Sequence, residues 1–215
     1  MEDSGLSARV WRMLENGILT GKYPVGTALT EQTISLDCGV SRTPARAALQ
    51  RLEQEGLVKL VPNKGAIVVG ISPRDLIDIY QMRMRVEGLA ARLAASRLTE
   101  ADKVRLSENV ELAEFYIARG DAQKLRDLDS NFHEILYNAS GSRMIEQTLT
   151  DLHHKIGVWR AKSLNDPQRV RESVAEHRAI LDALFAGDAE LADTLVSQHV
   201  ERALNKLLSI VYSEE

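Results

Sequence analysis

The sequence predicts a mostly α-helical protein in two parts: an N-terminal winged helix-turn-helix, then a C-terminal all-α antiparallel helical bundle. Three observations carry this reading. Residues 39–52 form a glycine turn that feeds a short amphipathic helix. Two β-rich runs follow at once, 57–61 and 66–69, joined by the turn Pro62-Asn63-Lys64-Gly65. Beyond Pro73 the β-rich runs stop, and helical patterns repeat between short breaks. A helix-turn-helix followed by a two-stranded hairpin is a winged helix, so domains are expected at 1–72 and 73–215, joined through Gly70-Ile71-Ser72-Pro73.

The first helix is expected over 6–19. Val10, Leu14 and Ile18 share its buried side, Met13 lies nearby, and Gly21 ends it. Tyr23-Pro24-Val25-Gly26 is a loop, and Thr30 is placed to cap a second helix over 31–37. Gly39 supplies the turn, because it takes a positive φ cheaply. Ser41 stands at the N-cap of the third helix, whose first turn tolerates Pro44. Ala45, Ala48, Leu49 and Leu52 fall at i, i+3, i+4 and i+7 and make one apolar stripe, so Arg42, Thr43, Arg46 and Gln50 point outward. Gly56 is the helix stop. The outward arginines suit either a solvated basic face or the base edges and phosphates of a DNA major groove.

Six further helices are expected, over 73–95, 99–119, 121–139, 141–162, 166–186 and 188–212. The breaks fall at Leu98-Thr99, Gly120, Gly141, Asn165-Asp166-Pro167 and Gly187-Asp188. Short loops without strands make an antiparallel bundle the natural architecture.

The 215 residues, 44% hydrophobic and 27% charged, can fill one large or two small cores. A net charge of −4 does not advertise nucleic acid, but the charge is uneven. Residues 41–65 hold Arg42, Arg46, Arg51, Lys59 and Lys64 against Glu53 and Glu55, a balance of +3, whereas 73–215 hold 19 basic against 24 acidic residues. A basic patch on an acidic chain is what a DNA reader with an attached non-DNA domain shows. The single cysteine, Cys38, excludes an intrachain disulfide and fits a reducing cytoplasm. No signal peptide or membrane-spanning apolar run is seen, so a cytoplasmic protein without membrane partners is expected.

A second constellation lies in the helical half. Asp129 and His133 stand at i and i+4 on one helix face. His177 shares a face with Ile180, Leu181 and Leu184, and His199 sits among Leu195, Val196 and Ala203. Taken singly, each histidine is more simply a hydrogen-bonded core residue. Taken together, one carboxylate and three imidazoles suit Zn²⁺, Ni²⁺ or Mn²⁺, and ligand type alone does not choose.

Residues in both halves carry a family resemblance. Pro24 to Glu31, Val40-Ser41-Arg42-Thr43-Pro44-Ala45-Arg46, Leu52-Glu53-Gln54-Glu55-Gly56-Leu57-Val58 and Pro62-Asn63-Lys64-Gly65-Ala66 resemble, in order and spacing, the GntR family of bacterial transcription regulators. The resemblance implies a DNA-binding domain in which Arg42 and Arg46 contact bases or phosphates and Thr43 contacts phosphate. Ser41 and Gln32 stand beside them, and Lys64 with Gly65 carries the wing toward a minor groove. Two positions depart from the family pattern: Gln32 where a basic residue is frequent, and Ala47 where an acidic one is.

Residues 73–212 resemble the helical effector domain of the FadR branch, the FCD domain. Its opening helix is matched by Arg83-Met84-Arg85-Val86-Glu87 and Ala90-Ala91-Arg92-Leu93-Ala94-Ala95. Its metal signature is matched by Asp129, His133, His177 and His199. Six helices and a short chain point to the VanR-like subgroup. His153 and His154 fall outside the signature and read as surface or bundle polar residues. Arg83 is the candidate partner for an effector, its simpler reading being an exposed or salt-bridged helix residue; Asn131 and Arg178 are weaker candidates.

The resemblance implies a cytoplasmic, homodimeric transcription regulator, with repression its expected mode. It would bind double-stranded operator DNA and sense a small organic acid at a divalent metal ion. Two other classes fit the four ligands: a metal-dependent enzyme, which has no use for a winged helix, and a direct metal sensor.

Overall fold

In the computed structural model, which describes residues 2–62 and 64–213, the chain divides into two units, 1–72 and 73–215. The first begins with helix α1 (Glu2–Leu19) and contains α2 (Glu31–Cys38) and α3 (Arg42–Gln54). Val10, Leu14 and Ile18 of α1 pack against the buried stripe Ala45, Ala48, Leu49 and Leu52 of α3. Thr30 caps α2 by accepting from the Thr33 N–H, and Gly39 closes it at φ 62°. Ser41 holds the N-cap position of α3 but makes no side-chain cap bond. The third residue of that helix, a usual donor to such a cap, is Pro44, which has no N–H.

The hairpin pairs β2 (Val58–Val61) with β3 (Gly65–Val68), and Asn63 of its turn lies outside the described residues. A third strand, β1 (Ala28–Leu29), pairs antiparallel with the other edge of β3, giving the order β1-β3-β2. Two residues are too few to show an alternating pattern, so nothing in the sequence marks this strand. Its presence explains Gly65 on packing grounds alone. At φ 86° any Cβ there would run into Leu29 O and Thr30 Cα.

The second unit comprises α4 (Pro73–Ala95), α5 (Glu100–Arg119), α6 (Ala122–Ala139), α7 (Arg143–Lys155), α8 (Gly157–Ser163), α9 (Pro167–Phe185) and α10 (Ala189–Ser213). Thr99, Asp121, Ser142 and Asp166 cap α5, α6, α7 and α9 with their side chains. The single helix expected over 141–162 is broken at Ile156, giving seven helices instead of six among the described residues. Ile156 is fully buried, and Gly157 directly after it is the local signal that the sequence reading passed over. Leu106, Phe132, Leu136, Leu149, Ile180 and Val196 fill the core. Gly88 lets α4 approach α10 closely, since a Cβ would strike Asp193 and Ser197. No described helix is long and apolar enough to cross a membrane.

Candidate nucleic-acid interface and metal centre

The outward face of α3 carries Arg42, Thr43 and Arg46, all exposed as the stripe pattern predicts. Arg42 and Arg46, with Thr30, Glu31, Gln32, Gln50 and Lys64, line an open groove of about 640 Å³ between α2, α3 and the hairpin; Thr43 is exposed but does not line it. Ser41 is exposed but is not among the lining residues, and Gly65 is. Arg46 is held by Glu31 of α2 through two hydrogen bonds, Nε to Oε1 at 2.6 Å and Nη2 to Oε2 at 3.0 Å. Arg51, counted in the basic patch, does not face the groove. Its guanidinium lies 3.3 Å from the Trp11 ring centroid and bonds Glu55, which also accepts from Trp11 Nε1. The basic face is therefore built by Arg42, Arg46 and Lys64 alone among the groove residues.

In the helical unit, α6, α9 and α10 bring Asp129, His133, His177 and His199 together. Each offers one ligand atom, and these atoms all lie within 4.8 Å of one another. His133 Nε2 and His199 Nε2 face each other at 3.3 Å. Two nitrogens bound to one Zn²⁺ at about 2.1 Å stand roughly 3–4 Å apart, so the spacing suits an ion. His177 Nε2 is buried, 3.8 Å from Asp129 Oδ1, with no hydrogen-bond partner. A buried, unpaired imidazole nitrogen aimed at a carboxylate and two other imidazoles is the pattern a divalent ion completes. The four residues could therefore hold a divalent ion.

Surrounding groups orient the ligands. Glu176 Oε2 lies 2.7 Å from His199 Nδ1, and Glu176 is in turn bonded by Arg169 and Arg202. Glu87 Oε2 lies 3.0 Å from His133 Nδ1, though without good hydrogen-bond alignment. A carboxylate on Nδ1 turns each imidazole so that Nε2 faces the centre. The His177 ring stacks on Phe132 with centroids 4.0 Å apart, which fixes its plane. Arg160 pairs with Asp129, and Ser173 Oγ donates to the same carboxylate at 3.4 Å.

Arg83, Arg160 and Arg169 also line a small cavity, about 30 Å³, that reaches Asp129, His133 and His199. Arg83 thus both faces the site and is salt-bridged: its Nε is 2.6 Å from Glu87 Oε1, and the pair is almost fully buried. Arg178 instead pairs with Glu114 near the surface, and Asn131 is exposed; neither lines this cavity. His154 is exposed. His153 is a bundle residue: its ring centroid is 5.5 Å from that of His133, and its Nδ1 is 3.3 Å from the Tyr137 hydroxyl. Sequence reasoning missed Arg160, Arg169, Glu87 and Glu176. Only Glu87 left a signal, standing four residues after Arg83 on the same face.

Burial would raise the carboxyls of Asp129 and Glu87, but Arg160 and Arg83 outweigh it, and both fall well below the ordinary carboxylate range. Glu176 is likewise driven against burial, by bonds from His199 and Arg169, down to about 2. Burial, and then His199, push His177 well below its usual value; burial also lowers His199, with Glu176 opposing.

Unfolded His177 and His199 take up protons near pH 6.5, while the folded, neutral forms resist them. Stability is therefore complete above about pH 6.5 and falls on acidification below it. Protons also compete with any metal for the same nitrogens, in the same direction. Denaturant midpoint and bound metal, measured between about pH 8 and pH 5, are expected to decline together below about 6.5. A midpoint that rises or stays level across that window would contradict the neutral-imidazole assignment.

A winged helix joined to an all-helical bundle is the construction of a bacterial DNA-binding transcription regulator. The comparisons agree. Residues 6–68 match the model for bacterial regulatory proteins of the gntR family, and residues 78–202 match the FCD domain. The HTH-type transcriptional repressor RspR of Escherichia coli K12 is 26% identical over 196 residues, covering 91% of this chain and 86% of that protein. The solved structure of E. coli McbR/YncC has the same fold, with a TM-score of 0.72 at 23% identity over 97% of this chain and 98% of that one. The metal-free FCD domain of TM0439 covers 67% of this chain and 99% of its own length, with a TM-score of 0.57 at 16% identity. The chain belongs to the GntR family of transcription regulators, with an FCD domain as its second half.

Proposed function

We propose that this regulator works as a cytoplasmic homodimer. Residues 1–72 bind operator DNA, and residues 73–215 hold a divalent metal and sense a small organic acid. The observation that carries the sensing half is the four-ligand cluster with a buried, unpaired His177 Nε2, set beside a cavity walled by three arginines. Asp129, His133, His177 and His199 would hold Zn²⁺, Ni²⁺ or Mn²⁺, which supplies a positive centre for a carboxylate. Arg160 and Arg169 join Arg83 as groups able to receive the acid's other end, since guanidinium forks match carboxylates. A ligand that binds one arrangement of the helices better than another shifts the spacing of two winged helices, and operator binding with it. RspR is a repressor, which favours repression as the mode here.

The reading is tested on full-length protein loaded with Zn²⁺. About one metal per chain is expected by elemental analysis, and adding acetate or citrate should change the affinity for DNA from upstream of the gene. Release of DNA on adding Zn²⁺ alone would make the ion itself the signal and overturn the acid-sensing half.

On the DNA side, Arg42 and Arg46 are assigned to bases or phosphates and Thr43 to phosphate, with Ser41 and Gln32 beside them. Lys64 and Gly65 carry the wing. Arg46→Ala is expected to weaken operator binding by about 1–3 kcal/mol in a titration at fixed salt. Unchanged operator affinity would remove Arg46 from base reading.

A further inference from the structure

The groove between α2 and α3 contains a carboxylate where charge alone would disfavour one. Glu31 lies among Arg42, Arg46, Gln32 and Lys64 on the face assigned to DNA. A negative charge there repels phosphates and works against counterion-driven affinity. The ion pair it makes is also worth little to folding, because the Arg46 side chain is 64% exposed and that of Glu31 28%. A carboxylate in the first turn of α2 suits the helix dipole, but neither that nor non-specific attraction explains why it grips Arg46.

Its geometry does. Arg46 has five N–H donors: one on Nε and two on each Nη. Glu31 takes the Nε donor at 2.6 Å and one Nη2 donor at 3.0 Å, so its two oxygens fill the side-on edge of the guanidinium. The edge left over is the end-on pair, Nη1 with the second Nη2 hydrogen. Two parallel donors are what guanine O6 and N7 accept in the major groove. Thr30 caps α2 at the residue just before Glu31, so the carboxylate sits on the first turn of a fixed helix. The long arginine side chain is thereby ordered before DNA arrives, which lowers the entropy lost on binding.

We propose that Glu31 is a specificity-determining positioning residue, which clamps one edge of Arg46 so that the other is offered to a single guanine in each half-site. This rests on the reading that Arg46 contacts a base. It assigns Glu31 no contact with DNA of its own.

The test selects sequences from a randomised duplex library with full-length wild-type protein, E31A, R46A and the double variant. Titrations of the selected and a scrambled duplex follow. In E31A, preference for guanine at one position per half-site should fall about tenfold, with the other positions unchanged. Affinity for the scrambled duplex should hold or rise, because a negative charge has gone. In the double variant the loss should not exceed that of R46A alone. A uniform loss across positions, or a loss additive to that of R46A, would overturn the proposal. So would an unchanged preference in E31A beside a lost one in R46A, which leaves Arg46 as a base reader. If R46A itself keeps the guanine preference, the base-reading assignment falls and takes this inference with it.

Discussion

His177→Ala is expected to strip the metal from the helical unit and to abolish the response of DNA binding to a carboxylate. The ring is buried, and its Nε2 is unpaired beside Asp129. Altering a residue that merely orients a ligand costs about 10–100-fold in metal affinity, so deleting a ligand itself should cost more. After dialysis the variant should hold only traces of metal. Folding also suffers, since the ring stacked on Phe132 leaves a void. His177→Gln keeps more of that volume and separates the two effects: it should fold better than the alanine variant and still lose the ion. The DNA-facing unit has its own core, built from α1, α3 and the hairpin, so neither change should unfold it. A fully metallated His177→Ala protein would remove this residue from the ligand set.

The parts of the fold legible in the sequence were those with a long period or a strong stop. The stripe of α3, the cap Thr30, the turn at Gly39 and the breaks at Leu98-Thr99 and Asn165-Asp166-Pro167 depend on local chemistry and were read from it; that Thr99 and Asp166 cap the helices after those breaks is seen only in the structure. β1 was not, because its two residues are held by β3 rather than by any preference of their own. The break at Ile156 was not, because Gly157 after it stands inside a helical run whose continuation on both sides hides the interruption, and the burial of Ile156 is set by tertiary packing.

The site divides in the same way. Its four metal candidates were visible as a set, by their spacing and by resemblance. The charged residues around them were not: Arg169 and Glu176 are paired seven residues apart on one helix, and Arg160 meets Asp129 across two. Polar residues of this kind are usually exposed, so only tertiary packing reveals them as buried. Ser41 shows the reverse error: a strong local preference that Pro44 left without a usual donor.

Glu87→Ala is expected to destabilise the helical unit by about 3–5 kcal/mol, the largest stability effect of any single change considered. Arg83 would be left buried at 3% side-chain exposure without its counter-ion, and a guanidinium cannot shed its proton to escape. Glu87 also flanks His133 Nδ1, so metal affinity should drop by about 10–100-fold in the same protein. The two losses separate by pairing changes. Arg83→Met with Glu87→Leu removes both charges and fills the space, and it should recover most of the stability but not the metal affinity. Denaturant unfolding followed by helix signal reads the first, and elemental analysis the second. The pH dependence has a fixed sign. Because Arg83 holds the Glu87 carboxyl below its ordinary range, its contribution is present above about pH 4.5 and lost as pH falls further. One more outcome bears on sensing. Arg83 lines the cavity, so acetate should stabilise Glu87→Ala more than wild type by supplying the missing carboxylate. If acetate stabilises both equally, Arg83 is sealed from the cavity, and reception of the acid passes to Arg160 and Arg169.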